Sequence, residues 1–173
     1  MTQWAYTAYY PANAAYWVQA SIDKRFKVGD QSLWNMMFGD NQYYQARRFF
    51  FNLVRRHINM IVGYQRRNRK STITVPQFQG DNLADDYNTV LKWVEERDGF
   101  HEYLSQGFEG SCDTGMNLLH MYPDYTNDPI SGDLFTENVS YQNFLIDTYF
   151  RKQDLSDCNV IWRRRWVSKV VAK

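Results

Sequence analysis

Spacings of three and four between apolar residues dominate the first two thirds of the chain, and a spacing of two takes over near residue 116. The longest helical pattern lies in Asn41 to Lys70, where Phe50, Leu53, Val54, His57, Ile58, Ile61 and Tyr64 stack along one broad face. Asp40 or Asn41 is a suitable cap for its start. This pattern runs into Ser71-Thr72-Ile73-Thr74-Val75, a β-rich run stopped by Pro76, so a strand is predicted there. Upstream, residues 1–12 are rich in Tyr and Thr and reach Pro11, which reads as an extended N-terminal arm. Residues 13–173 then form one domain. Asn13 caps a helix with Ala14, Val18, Ile22 and Phe26 on its apolar face, closed by Gly29. A short helix follows, carrying Leu33, Trp34, Met37 and Phe38.

Beyond Pro76 a loop leads to a helix from about Asp81, with Leu83, Tyr87, Val90, Leu91 and Val94 on one face. Phe100, Tyr103, Leu104 and Phe108 predict another helix that fades into Gly107, Gly110 and Gly115. Strands are predicted over Met116–Tyr122, Leu134–Ser140 and Asn143–Asp147, with a turn-rich loop between the first two. Asn159 to Trp166 alternates: Val160, Trp162, Arg164 and Trp166 face a buried side, and Ile161, Arg163 and Arg165 a cationic one. The fold class is therefore α+β, amphipathic helices followed by a small, mainly antiparallel sheet. Val167 to Lys173 reads as the first turns of a helix with no closing element, which suggests a piece of something longer.

With 173 residues, 44 % hydrophobic and 17 % aromatic, the chain can bury a core of its own. No run reaches the roughly 20 apolar residues of a membrane helix, and the N-terminus has no signal-peptide pattern. Cys112 and Cys158 are expected as free thiols. The net charge of +1 conceals segregation: residues 41–70 carry eight basic and no acidic groups, and residues 71–147 carry two basic and fourteen acidic. Such blocks suggest charged faces that meet each other, within the fold or between copies. The basic candidates are Arg47, Arg48, Arg55, Arg56, Arg66, Arg67, Arg69 and Lys70, joined by Arg163, Arg164 and Arg165 near the end. Their acidic counterparts are Asp85, Asp86, Glu95, Glu96 and Glu102. Pairing with the acidic region of the same or the next copy is preferred for the arginines. Contact with DNA phosphates is the alternative, since a guanidinium suits either anion.

Catalytic chemistry finds little support. Only His57, His101 and His120 are present, and no HExxH, CxxC, GxSxG or Walker pattern occurs. His57 falls on the apolar face and reads as a core histidine. Asp124, Asp128 and Asp133 lack EF-hand spacing and read as a solvated turn. Asp147, Asp154 and Asp157 read as turn or cap residues. No metal and no cofactor is expected.

Three segments together resemble a known family. They are NLVRRHINMIVGYQRRNRK running into TITVPQ, the acidic helix DNLADDYNTVLKWVEE followed by YLSQGFEGSCDTGMNLL, and the late run FLIDTYFRKQDLSDCNVIWRRRWVSK. In this order they resemble the N-terminal, wing-like part of portal proteins of short-tailed P22-like and crAss-like phages. The resemblance implies a structural subunit of a ring, usually of twelve copies, at one capsid vertex. Double-stranded DNA would pass through it during packaging and ejection. Its partners would be further copies, the capsid, terminase and tail or adaptor proteins, in the virion and, during assembly, in the host cytoplasm. The portal stem and clip would lie downstream, making this a truncated product or one piece of a split subunit. A stand-alone nucleic-acid-binding module using the basic helix is the competing reading.

Overall fold

A computed structural model describes residues 2–30, 32, 51–76, 83–126, 128–130, 132–152 and 154–168, with side chains from residue 9 onward. Helix α1 spans Thr2–Val28, α2 Leu53–Arg67, α3 Leu83–Arg97 and α4 Phe100–Thr114. Two antiparallel strand pairs follow: β1 (Leu118–Asp124) with β2 (Asp133–Val139), and β3 (Phe144–Ile146) with β4 (Ile161–Arg163). The α+β architecture is as the periodicity predicts. Outside the described residues lie the short helix over 33–38, the first part of the 41–70 pattern with Arg47 and Arg48, the loop from Gln77, the helix start near Asp81, and most of the turns over 167–173.

α1 overturns the extended arm. Residues 2–12 are helical, and Pro11 sits inside the helix. Proline removes one backbone hydrogen bond, but Ala5, Ala8, Ala12, Ala14 and Ala15 surround it with the strongest helix formers. Asn13 is therefore no cap. It lies mid-helix and is buried, as is Ala20, with Tyr16 and Trp17 packed beside them. The inward face thus follows 13, 16, 17 and 20, and Val18 from the predicted face is exposed.

α2 begins at Leu53, later than predicted, because Asn52 caps it. Its Oδ1 accepts from Arg55 N at 3.0 Å, while its Nδ2 donates to Lys27 O at 2.7 Å and ties α2 to the end of α1. The predicted apolar face of α2 is not the buried one. Val62 is its buried residue, whereas Leu53, Val54, His57, Ile61 and Tyr64 are exposed. A single row of side chains seated on α4 leaves the broad stripe outside. α3 repeats this: Ala84 is buried, and Leu83, Tyr87 and Val90 are exposed.

Residues 71–75 form no strand, which corrects the β prediction. Thr74 is instead held by α3: its N–H donates to Asn88 Oδ1 at 2.7 Å, and Asn88 Nδ2 donates to Thr74 O at 3.2 Å. With its backbone satisfied by one amide side chain, the run leaves Ile73 and Val75 exposed.

α4 does not fade at its glycines. It continues to Thr114, and Gly115 (φ 83°) ends it in the left-handed conformation. Gly107 and Gly110 let Asn117 lie against the helix, where a Cβ at Gly110 would come within 2.8 Å of Asn117 Oδ1. The core gathers between α1 and the strands, from Ala20, Val139, Tyr141 and Phe144 with Met116 and Leu118 beside them. β4 is shorter than the alternation predicts. Only Ile161–Arg163 pair with β3, and Trp166 is exposed, since no described strand lies beside it to give the alternation a buried side.

Candidate interaction surfaces

Of the charges nominated from the sequence, the fold joins few within the chain. Arg66 meets Glu102 at 3.7 Å, with both side chains about half exposed, a pair of small stabilising value. Glu95 is mostly buried and lies 3.6 Å from His101. Arg55, Arg56, Arg67, Arg69 and Lys70 are exposed, and their side chains make no ion pair or hydrogen bond with another described residue. Asp85, Asp86 and Glu96 are likewise exposed, with side chains free of such partners among the described residues.

The terminal arginines divide. Arg163, predicted on an open cationic side, is half-buried: it pairs with Glu137, donates to His120 Nδ1 at 2.6 Å and lies over the Tyr122 ring. Arg164 donates to Gln142 O at 2.8 Å and sits between the Trp17 and Trp166 rings. Arg165 stays exposed. The cross-strand register explains Arg163. Antiparallel β3–β4 pairing sets it opposite Phe144, within reach of Glu137 on β2.

A partly buried charge cluster joins α1 to α4 and involves none of the nominated residues. Lys27 Nζ lies 2.7 Å from both Glu109 Oε1 and Asp113 Oδ2. Burial pulls the Lys27 ammonium down, but hydrogen bonds and charges from Asp113 and Glu109 outweigh it, and the pKa ends above the ordinary lysine value. The same hydrogen bond holds the Glu109 carboxyl below its usual range. The signal was available: Lys27 lies seven residues beyond Ala20, on the inward face of α1. Arg97 was also missed; it bonds Asp98, Asp133 and Leu134 O and so fastens α3 to β2.

The three histidines have separate surroundings. His57 is exposed rather than in the core, and its Nδ1 bonds Leu53 O at 3.0 Å. His101 faces Glu95, and His120 faces Arg163. Asp147, Asp154 and Asp157 accept backbone N–H bonds from Tyr149, Ser156 and Arg151. Asp124 and Asp128 do the same for Thr126 and Ile130. Among the described residues no three His, Cys, Asp or Glu side chains gather to hold a metal ion, and no helix is long and apolar enough to cross a membrane.

The surface thus carries an apolar face on α2 bordered by cations and one on α3 bordered by carboxylates, charges whose side chains have no partner among the described residues. Apolar patches of this kind, rimmed by charge, mark sites of interaction. A sequence model of the family described as phage P22-like portal protein matches residues 4–173. Comparison with curated proteins gives no match.

Proposed function

We propose, from the premise that the chain belongs to the P22-like family of phage portal proteins, that it serves as a portal subunit in the virion. In this reading copies close a ring at one capsid vertex, and double-stranded DNA passes through the ring during packaging and ejection. Capsid, terminase and tail or adaptor proteins are the further partners, met in the host cytoplasm during assembly. The role is structural: binding and geometry do the work, and no side chain is assigned to catalysis.

The observation that carries the reading is the match across residues 4–173. The surface agrees with it. A subunit that works through its neighbours is expected to keep apolar helix faces and unpaired charges outside its own core; α2 and α3 expose such faces beside charges, Arg56, Arg67, Asp86 and Glu96 among them, that have no partner among the described residues. The nucleic-acid-binding alternative uses the same cations of α2 but gives no role to the apolar residues between them.

The test is to find the chain in particles of the phage that encodes it. Antibodies raised against it should label purified particles at a single vertex, the one that carries the tail. Label spread over the whole capsid, or a chain absent from the particles by mass spectrometry, overturns the reading.

A further inference from the structure

We propose that α2 of one copy docks lengthwise on α3 of the next, through a contact whose two sides are different surfaces. The closing of such contacts into a ring rests on the portal reading; the docking itself requires only a second copy of this chain. Leu53, Met60 and Tyr64 form one stripe on α2, at spacings of seven and four, and each is more than half exposed. Tyr87, Val90 and Trp93 form a stripe on α3 at spacings of three, again each more than half exposed. Both helices have 15 residues, or about 22 Å of length, so either can lie along the whole of the other. Within the chain α2 packs on α1 and α4, and α3 on α4; both stripes stay more than half exposed, with the Arg97 guanidinium lying over the ring of Trp93.

The charges say which surface meets which. Arg56 and Arg67 lie along the α2 stripe, four residues before and seven after Met60, and α2 has no acidic residue at all. Asp86 precedes Val90 by four residues, and Glu96 follows Trp93 by three. All four side chains are exposed and unpaired among the described residues. An α2–α2 contact would set arginine against arginine. DNA would satisfy the cations but leave the apolar stripe in water. An α2–α3 contact satisfies both. Because its two sides differ, each copy offers one of each, and the contact repeats from copy to copy as a ring requires.

Charge reversal tests this with two variants of the chain. Arg56→Glu/Arg67→Glu makes both faces negative, and Asp86→Arg/Glu96→Arg makes both positive. Each variant alone should dissociate at least about tenfold more readily than the wild type in analytical ultracentrifugation. An equimolar mixture should regain association, because every α2 then meets an α3 of opposite sign. At a concentration low enough to dissociate the wild type, thermal melts of the separate variants should match it, since the changed residues are exposed. Variants that associate as the wild type does, or a mixture that fails to recover, overturn the α2–α3 contact. So does a wild-type chain that stays monomeric at every concentration, or association that nuclease abolishes. None of these results bears on whether the chain stands at the tail vertex of the particle, which the labelling experiment decides separately.

Discussion

The side-chain amide of Asn13 pairs with the backbone of Ile146, 133 residues away, as a neighbouring strand would. Asn13 Nδ2 donates to Ile146 O at 2.9 Å, and Ile146 N donates to Asn13 Oδ1 at 3.2 Å. The second Nδ2 proton goes to Tyr9 O at 2.9 Å, one turn back in α1. The outer edge of β3 is thereby closed by a helix side chain, and α1 is fixed in register against the sheet.

Replacing Asn13 by leucine keeps the branched shape of the side chain and removes all three bonds. The buried N–H and C=O of Ile146 are then left without partners, each at a cost of about 1–3 kcal/mol. Asn13→Leu should therefore lose about 2–4 kcal/mol in urea unfolding. Asn13→Asp should fold no better, because a carboxylate oxygen would face the Ile146 carbonyl. A loss below about 0.5 kcal/mol for leucine would show that β3 does not depend on this amide.

The same device explains where sequence pattern and structure part. Asn88 pairs with Thr74 as Asn13 pairs with Ile146, so a run with strand composition is held without a strand. Neither asparagine announces this: one reads as a cap, the other as a polar position on a helix. The succession of helices followed by strands, the strands β1 and β2 on either side of a turn, and the existence of helices α3 and α4 were legible, because they follow from local periodicity and turn residues. The buried faces were less so. Periodicity reports an apolar stripe without saying what covers it, and on α2 and α3 the stripe is outside the chain's own core. Charge blocks were legible as blocks, yet pairing is decided by proximity in the fold. Lys27, nominated for nothing, holds two carboxylates, while Arg55 and Arg56 hold none among the described residues.

Lys27 links α1 to α4 in a pH-dependent way. Glu109 has its pKa lowered in the fold, so its contribution is complete above the ordinary value of 4.5 and is lost as the pH falls through the lower folded value. Lys27 has its pKa raised, so its contribution is complete below the ordinary value of 10.5 and is lost as the pH rises through the higher folded value. The deficit of a Lys27→Met variant against the wild type should therefore be largest between these limits. Partial exposure of the cluster limits it to about 1–2 kcal/mol. As the pH falls through the lowered folded value of Glu109, its attraction for Lys27 is lost, and the deficit should shrink by the share that Glu109 contributes. A deficit that stays constant from pH 7 down to the acid transition would mean that Lys27 acts through the packing of its methylene stem and not through its charge.

Two glycines in helix interiors should respond to alanine with opposite signs. At Gly63 in α2 an added Cβ meets nothing within 4 Å, so Gly63→Ala should stabilise by about 0.5–1 kcal/mol through helix propensity alone. At Gly110 in α4 the propensity gain is the same, but the Cβ would lie 2.8 Å from Asn117 Oδ1 and 3.2 Å from its Cγ. Asn117 cannot simply swing aside. Its Nδ2 donates to Asn138 Oδ1 on β2, and it also rests on Gly107, one turn earlier in α4. Moving it breaks a side-chain bond and pushes β1 off the helix, so the cost of overpacking, about 1–3 kcal/mol, should exceed the gain. Urea midpoints for the two variants decide this. If Gly110→Ala stabilises as Gly63→Ala does, Asn117 has room to move, and the two glycines of α4 serve propensity-neutral spacing and not the close seating of β1.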